Sequence, residues 1–432
     1  MDLLLIKVPY RISSSKVISG FDHDAPPLGI FILKAYLDQF GYDVKAMHMM
    51  SQEDYTEIKD IILAGNAKLI GLSATTYEFE QALSLARKLK QLNNSLYIIM
   101  GGPHVSYNYE EALEHDCVDL VSLFEGEETL REIIDNFNGK DVENKEKIRG
   151  IAYKENGNII VTPERDKLNL DSIPTISYKE LDLSRYDQPG SLVTSRGCVG
   201  RCIFCTAANT KYRERSAEKV FEDICNLYHN AGISEIAILE NSFTINEKRT
   251  RRICDLLIKE NMPIRWSCEA RVETSIELLK LMKEAGCYAV QFGIESANDK
   301  PLKNIRKGIN IKQISEAINN ALAVGIENIC CNYIIGLPGD TKESLMNTFE
   351  YMRKFKGNRR VRQSISVLTP YPGTYIYNHA DEMGVKIISK DWKRYNGMDV
   401  VGETKNLSAK EIRKLYFDAY NEFYVPSYKE FF

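Results

Sequence analysis

Leu192 to Ala208 reads LVTSRGCVGRCIFCTAA, and its cysteines govern how the remaining chain is read. Cys198, Cys202 and Cys205 form a C-x3-C-x2-C array after the apolar run Leu192-Val193, which predicts a strand running into a loop. Three thiolates are thereby gathered at one strand end. Cuboidal iron–sulfur clusters bind one ligand per iron, so a compact set of three leaves one iron open to a further ligand, a catalytic feature. A structural zinc knuckle is the alternative, but zinc closes its tetrahedron with a fourth ligand. The nearest histidine along the chain, His229, is more than a helix away. Simple burial of the cysteines fits less well, because Gly197, Gly200 and Arg201 make this stretch a loop.

Downstream, short apolar runs alternate with amphipathic stretches. Strands are predicted at 192–194, 235–239, 264–267, 289–293, 329–335 and 364–367, with helices at 217–230, 247–259, 276–284, 311–322 and 342–354. Six such units make a partial barrel open on one side, whose chemistry gathers at the carboxyl ends of its strands. Polar or glycine-rich motifs follow the strands in turn: Glu240-Asn241-Ser242-Phe243, Glu269-Ala270-Arg271, Gly293-Ile294-Glu295-Ser296 and Gly336-Leu337-Pro338-Gly339.

The cysteine spacing, with Phe204 just before the last cysteine, resembles that of the radical S-adenosylmethionine (SAM) superfamily, and the strand-end motifs resemble its SAM-binding segments. That resemblance implies a [4Fe-4S] cluster on Cys198, Cys202 and Cys205, with its open iron chelated by the amino and carboxylate groups of SAM. It also implies reductive cleavage of SAM to a 5′-deoxyadenosyl radical, driven by an external low-potential electron donor. Carried over residue by residue, Phe204 lies at the SAM site, Glu240 meets the amino group and Arg271 the carboxylate. Gly293, Glu295 and Ser296 approach the ribose, and Gly336 and Pro338 the adenine. Glu240-Asn241 stands where relatives often show paired aspartates, a departure at the amino-group contact.

Before the cysteine loop, strands are predicted at 3–8, 44–47, 69–72, 96–100 and 119–123, with helices at 28–40, 58–64, 80–91, 110–115 and 128–137. This alternation predicts a Rossmann-like open parallel sheet with helices on both faces, which binds ligands at the carboxyl ends of its strands. The loops there carry Pro27 and Gly29; Ser73, Thr75, Thr76 and Tyr77; Gly101, Gly102, Pro103 and His104; and Glu125, Gly126 and Glu127. Glycines at such ends let backbone approach a ligand closely. Together they resemble the cobalamin-binding domain at the amino end of one radical SAM class, which implies that these residues hold cobalamin. None of the six histidines sits in the D-x-H-x-x-G pattern that supplies a cobalt ligand elsewhere. The resemblance therefore implies cobalamin with no histidine on its lower face, approached by the 75–77 loop, and His104 as a contact or cap.

The expected domains are 1–140, the cobalamin-binding type; 141–190, a hairpin through Glu155-Asn156-Gly157 and a linker; 191–368, the partial barrel; and 369–432, a helical cap with helices at 376–383 and 409–423. A net charge of −4 and a pI near 6.0 give no electrostatic case for nucleic acid. No apolar run is long enough to cross a membrane, and no signal peptide is read. Ten cysteines, three of them clustered, fit a reducing cytoplasm. Cys225, Cys254, Cys268, Cys287, Cys330 and Cys331 read as packing thiols, though one of the pair Cys330-Cys331 must face the barrel interior. The resemblance as a whole implies a cobalamin-dependent radical SAM enzyme that methylates an unactivated carbon. A non-methylating radical reaction, such as cyclisation or ring rearrangement, and a non-catalytic iron–sulfur or cobalamin-binding protein are the alternatives. A small molecule or a peptide side chain is the expected substrate.

Overall fold

Five strands, β1 (Leu3–Lys7), β2 (Val44–His48), β3 (Leu69–Ser73), β4 (Tyr97–Gly101) and β5 (Leu120–Ser122), alternate with helices α1 (Leu28–Asp38), α2 (Gln52–Leu63), α3 (Phe79–Leu92), α4 (Tyr109–Leu113) and α5 (Glu127–Asp135). The computed structural model describes residues 1–9, 25–178, 181–208 and 210–423. In β1, β3 and β4 four consecutive residues are buried, as befits strands covered by helices on both faces. They pair in parallel in the order β2-β1-β3-β4-β5. Among the helices, α2 carries a capping box, with the Ser51 side chain accepting from the Asp54 N–H.

The hairpin forms where the sequence places it, as β6 (Ile151–Glu155) and β7 (Asn158–Val161), with Asn156 and Gly157 at φ 50° and 81°. It is not part of a free linker. β6 pairs antiparallel with the open edge of β5 and buries Ile151, Ala152 and Tyr153, so the first sheet has seven strands. The stretch beyond it also packs on this unit. Leu170 and Ile173 bury against Tyr36, and Arg185 pairs with Asp54 at 2.6 Å. The first compact unit therefore runs to Asp187.

In the second unit, from Gln188, β8 (Ser191–Leu192) leads into the cysteine loop, flanked by the antiparallel pair β9 (Ser195–Arg196) and β10 (Arg213–Glu214). Then follow α6 (Ala217–Ala231), β11 (Glu235–Ile238), α7 (Glu247–Lys259), β12 (Arg265–Ala270), α8 (Ile276–Glu284), β13 (Cys287–Glu295), α9 (Asp299–Asn304), α10 (Ile311–Ala323), β14 (Asn328–Ile335), α11 (Lys342–Arg353) and β15 (Val361–Val367). The six parallel strands lie in the order β8-β11-β12-β13-β14-β15, so β8 and β15 are edges and the sheet is an open barrel wall. Along β14 burial alternates at every residue, with Cys331 fully buried toward the helices and Cys330 half-buried on the other face.

The tail departs from the expected pair of cap helices. The first, α12 (Tyr375–Asn378), has only four residues. The chain then turns through Gly384 at φ 67° into a small antiparallel pair, β16 (Val385–Ile387) and β17 (Gly402–Thr404). The second, α13 (Ala409–Phe423), packs on β14 and β15, burying Ile412, Leu415, Tyr416 and Ala419. It supplies the helix layer for the last strands rather than a separate cap. Among the described residues no helix is long and apolar enough to cross a membrane.

Candidate active site

The cysteine loop is tied down on several sides. Gly197, at φ 80°, has the Lys211 carbonyl oxygen 2.4 Å from where a β-carbon would stand. Only glycine fits there. The Ile203 N–H donates to the Ile305 carbonyl at 3.1 Å, and the Ile203 carbonyl accepts from the Ile376 N–H at 2.9 Å. Cys198, Cys202 and Cys205 are all half-buried. The sulfurs of Cys198 and Cys202 lie 3.3 and 3.9 Å from the point where Gly200 lacks a side chain. Burial pushes the Cys202 and Cys205 thiols up, and the neighbouring cysteine sulfurs raise them further, while the Lys307 ammonium opposes the rise. No three His, Cys, Asp or Glu side chains among the described residues stand around a single-ion point. Three half-buried thiols on one loop suit a cubane, in which each thiolate binds its own iron.

Lys307 went unnoticed in the sequence because it follows no strand. The Ile203–Ile305 hydrogen bond carries it to the loop, and its Nζ donates to the Glu295 carboxylate at 2.7 Å. Burial alone would lower the Lys307 pKa, but Glu295 and the Cys202 and Cys205 sulfurs hold it above its ordinary value. The pair lies against Gly293, where a β-carbon would sit 2.6 Å from Nζ and 2.7 Å from the Glu295 Oε1. Glu295 itself is at φ 65°, a conformation that lets its carboxylate turn back to Lys307.

The expected SAM residues divide into inward and outward groups. Glu240 points inward: its side chain is fully buried, accepts from the Thr194 hydroxyl, and lies 3.8 Å from Arg249, whose own side chain is only 4% exposed. Arg249 also donates to the Thr194 and Arg215 carbonyls, at 3.0 and 2.7 Å. The Glu240 carboxylate is thus engaged in fixing the strand ends beneath the cysteine loop. Arg271 is half-exposed and pairs with Glu273. Phe204 is half-buried, and the buried Ser296 hydroxyl accepts from the Asn298 N–H.

At the Gly336–Gly339 turn both end glycines have positive φ, and the Pro338 carbonyl accepts from the Asn304 side chain at 3.0 Å. Asp340, which the sequence reading missed, holds the turn by accepting the Gly336 and Leu337 N–H groups at 3.2 and 2.9 Å. Burial pushes its carboxyl up to about 7 against those bonds.

In the first unit the carboxyl-end loops are laced together. Gly102, at φ 106°, lies so close to Ala74 that a β-carbon would be 2.5 Å from the Ala74 carbonyl oxygen. The Ser106 hydroxyl donates to the Gly102 carbonyl and accepts from the Phe124 N–H. Glu78, another residue not singled out from sequence, accepts from the Thr75 N–H and hydroxyl at 2.7 and 2.8 Å and pairs with Lys7 at the end of β1. Thr76 and Tyr77 are buried, Ser73, Thr75 and Glu125 half-buried, and Glu127 buried.

His104 is 1% exposed, packs on Phe79 with ring centroids 4.3 Å apart, and meets the Thr76 hydroxyl at 3.3 Å. Burial lowers its pKa to about 4, so it is neutral at pH 7, and its contacts with Phe79 and Thr76 tie the 102–104 turn to the 75–77 loop. Gly29 and Pro103 are exposed, Pro27, Gly101 and Gly126 half-exposed, and no described atom lies within 4 Å of the missing Gly29 β-carbon. Rigid, glycine-containing strand ends with open backbone fit a large flat ligand such as a corrin.

Residues 192–352 match the Radical SAM superfamily, and residues 15–134 match the B12 binding domain. An uncharacterized methyltransferase of Pyrococcus horikoshii is 32% identical over 98% of this chain and 93% of its own. The chain belongs to the radical SAM superfamily. Members of its class use a [4Fe-4S] cluster, SAM and cobalamin, and this radical SAM protein carries the matching domains for all three. The anaerobic magnesium-protoporphyrin IX monomethyl ester cyclase of Rubrivivax gelatinosus is 25% identical over 98% of this chain and 78% of its own. Among solved structures, the cobalamin-dependent SAM radical enzyme OxsB, with aqua-cobalamin and SAM bound, superposes with a TM-score of 0.70 at 20% identity. That match covers 88% of this radical SAM chain and 56% of OxsB, so the chain spans little more than half the OxsB length.

Proposed function

We propose that this radical SAM protein is a cobalamin-dependent methyltransferase acting on an unactivated carbon of a small molecule in a reducing cytoplasm. The observation that carries the reading is the pairing, in one chain, of a three-cysteine loop beside a part-buried Lys307–Glu295 pair with a B12 binding domain. A methyltransferase-named relative that aligns over nearly the whole chain supports it. When bound, the cluster with SAM supplies a hydrogen-abstracting radical and cobalamin a transferable methyl group.

The chain's own residues position and exclude. Cys198, Cys202 and Cys205 would hold the cluster, and Lys307 would offset the negative charge of thiolates and SAM carboxylate. Arg271, half-exposed, is the second cation available to that carboxylate. Gly293 leaves room for the Lys307–Glu295 pair, Asp340 presets the Gly336–Gly339 turn for the adenine, and Glu240 with Arg249 keeps the floor rigid. In the first unit Glu78 and His104 hold in shape the 75–77 loop, which would face a bound corrin.

The cyclase-named relative favours a second reading, a radical reaction without methyl transfer. Anaerobic reconstitution with hydroxocobalamin, followed by desalting, tests both. Methyl transfer requires about four irons and about one corrinoid per chain. It also requires 5′-deoxyadenosine and S-adenosylhomocysteine to form together on turnover. Four irons and 5′-deoxyadenosine without retained corrinoid would move the second reading to first place.

A further inference from the structure

On the inner face of the barrel wall the strand register aligns one polar side chain per strand. Glu269 of β12 stands opposite Gln291 of β13, Gln291 opposite Cys330 of β14, and Cys330 opposite Arg362 of β15. Their sequence neighbours, such as Val290 and Phe292 or Ile329 and Cys331, are buried. The row therefore lies on the side away from the helix layer. Three strand spacings separate Glu269 from Arg362, about 14 Å of wall.

Both end members are exposed, and neither side chain has a hydrogen bond or ion pair with another described residue. The charges closer to the cysteines behave differently, since Glu295 has Lys307 and Glu240 has Arg249. Burial raises the Cys330 thiol to about 11, with Arg362 drawing it down and Glu269 lifting it, so both charges act at the same sulfur. The next row along the strands holds Gly293, Asn332 and Ser364, with Arg271 two residues past Glu269 and Lys307 against Gly293, so those two cations stand at the cysteine side and Arg362 is the cation of the row's β15 end. One guanidinium fork balances one negative charge and matches the two oxygens of a carboxylate.

We propose that this row is the substrate-binding wall and that Arg362 receives a carboxylate of the substrate, whose body lies along Cys330 and Gln291 toward Glu269. The proposal rests on the radical SAM reading of the barrel and names the class of molecule that the barrel takes.

Cys330 supplies a reporter that needs no knowledge of the substrate. Iodoacetate and iodoacetamide alkylate a thiol alike, each forming a carbon–sulfur bond and releasing iodide, but only iodoacetate carries a carboxylate. Full-length, cluster-loaded protein without SAM is treated anaerobically with each reagent. Alkylation of Cys330 is followed by peptide mass spectrometry, and the half-buried Cys225 on the outer helix α6 serves as the internal control. The expected result is an iodoacetate-to-iodoacetamide ratio at Cys330 about three to ten times that at Cys225. Arg362→Gln should abolish the excess, and Arg362→Lys should keep part of it. An equal ratio at the two cysteines, an excess that survives Arg362→Gln, or a Cys330 that neither reagent reaches would overturn the proposal. SAM cleavage to 5′-deoxyadenosine, assayed on the same preparations, reports separately on the radical SAM reading: its loss condemns that reading, while its persistence beside a failed ratio condemns the carboxylate site alone.

Discussion

Replacing Arg249 with leucine strands the Glu240 carboxylate in a site where its side chain has no exposure. At the 3.8 Å separation and an effective dielectric near 20, the lost attraction is about 4 kcal/mol. The Arg215 carbonyl loses the guanidinium donor as well, while the Thr194 carbonyl keeps the Arg215 N–H. Breaking one side of a buried pair costs about 3–5 kcal/mol, and we expect that loss for Arg249→Leu. Trp266 and Trp392 are the two tryptophans and both lie in the second unit, so their fluorescence in a urea titration follows that unit's unfolding.

The double variant Arg249→Leu, Glu240→Leu should recover most of the loss, because a well-packed apolar replacement removes the stranded charge. pH gives an independent check. Burial already holds the Glu240 pKa above its ordinary value, with Arg249 opposing, so removing Arg249 raises it further. A carboxyl with a raised folded pKa binds more protons folded than unfolded, so stability falls as pH rises from the unfolded value toward the folded one. The Arg249→Leu deficit should therefore be larger at pH 8 than at pH 5. Glu240→Gln, which keeps the Thr194 contact, should leave SAM affinity within about twofold. A cost below about 1 kcal/mol for Arg249→Leu would refute the reasoning. So would a tenfold loss of SAM affinity in Glu240→Gln at an unchanged urea midpoint.

Cys205→Ala should retain the urea midpoint but lose the brown cluster absorbance and all 5′-deoxyadenosine formation; a variant that still cleaves SAM would remove Cys205 from the cluster. Lys307→Met should keep the cluster spectrum while weakening SAM binding about tenfold in equilibrium dialysis, and unchanged affinity would relegate Lys307 to packing. Gly102→Ala forces a β-carbon onto the Ala74 carbonyl at φ 106°, so it should cost about 1–3 kcal/mol and abolish corrinoid retention while iron content stays constant. For His104 the folded pKa is lowered to about 4, so the unfolded chain binds more protons between there and 6.5, and stability should climb with pH across that window. His104→Gln should lessen this rise, which His48 shares, in a urea midpoint followed by far-ultraviolet circular dichroism, since the tryptophans report on the second unit, and an unaltered slope would contradict it.

Strand and helix periodicity, the C-x3-C-x2-C spacing and the glycine-rich strand ends were legible in the sequence because each is local. A strand of consecutive apolar residues, a loop made by Gly197 and Gly200, or an Asn156-Gly157 turn needs no distant partner to declare itself. Three-dimensional pairing decided the rest. Whether the 151–161 hairpin was a linker or a sheet edge depended on the free hydrogen-bonding edge of β5, and α13 became a barrel layer because β14 and β15 lacked cover. Charge placement was equally hidden. Glu240 and Glu295 both follow strands and look alike in sequence, yet Arg249 draws one into the floor while Lys307, brought in by a single backbone hydrogen bond from Ile203 to Ile305, holds the other beside the cysteines. A carboxylate's role is set by which cation the fold carries to it across tens of residues, and spacing along the chain does not encode that distance.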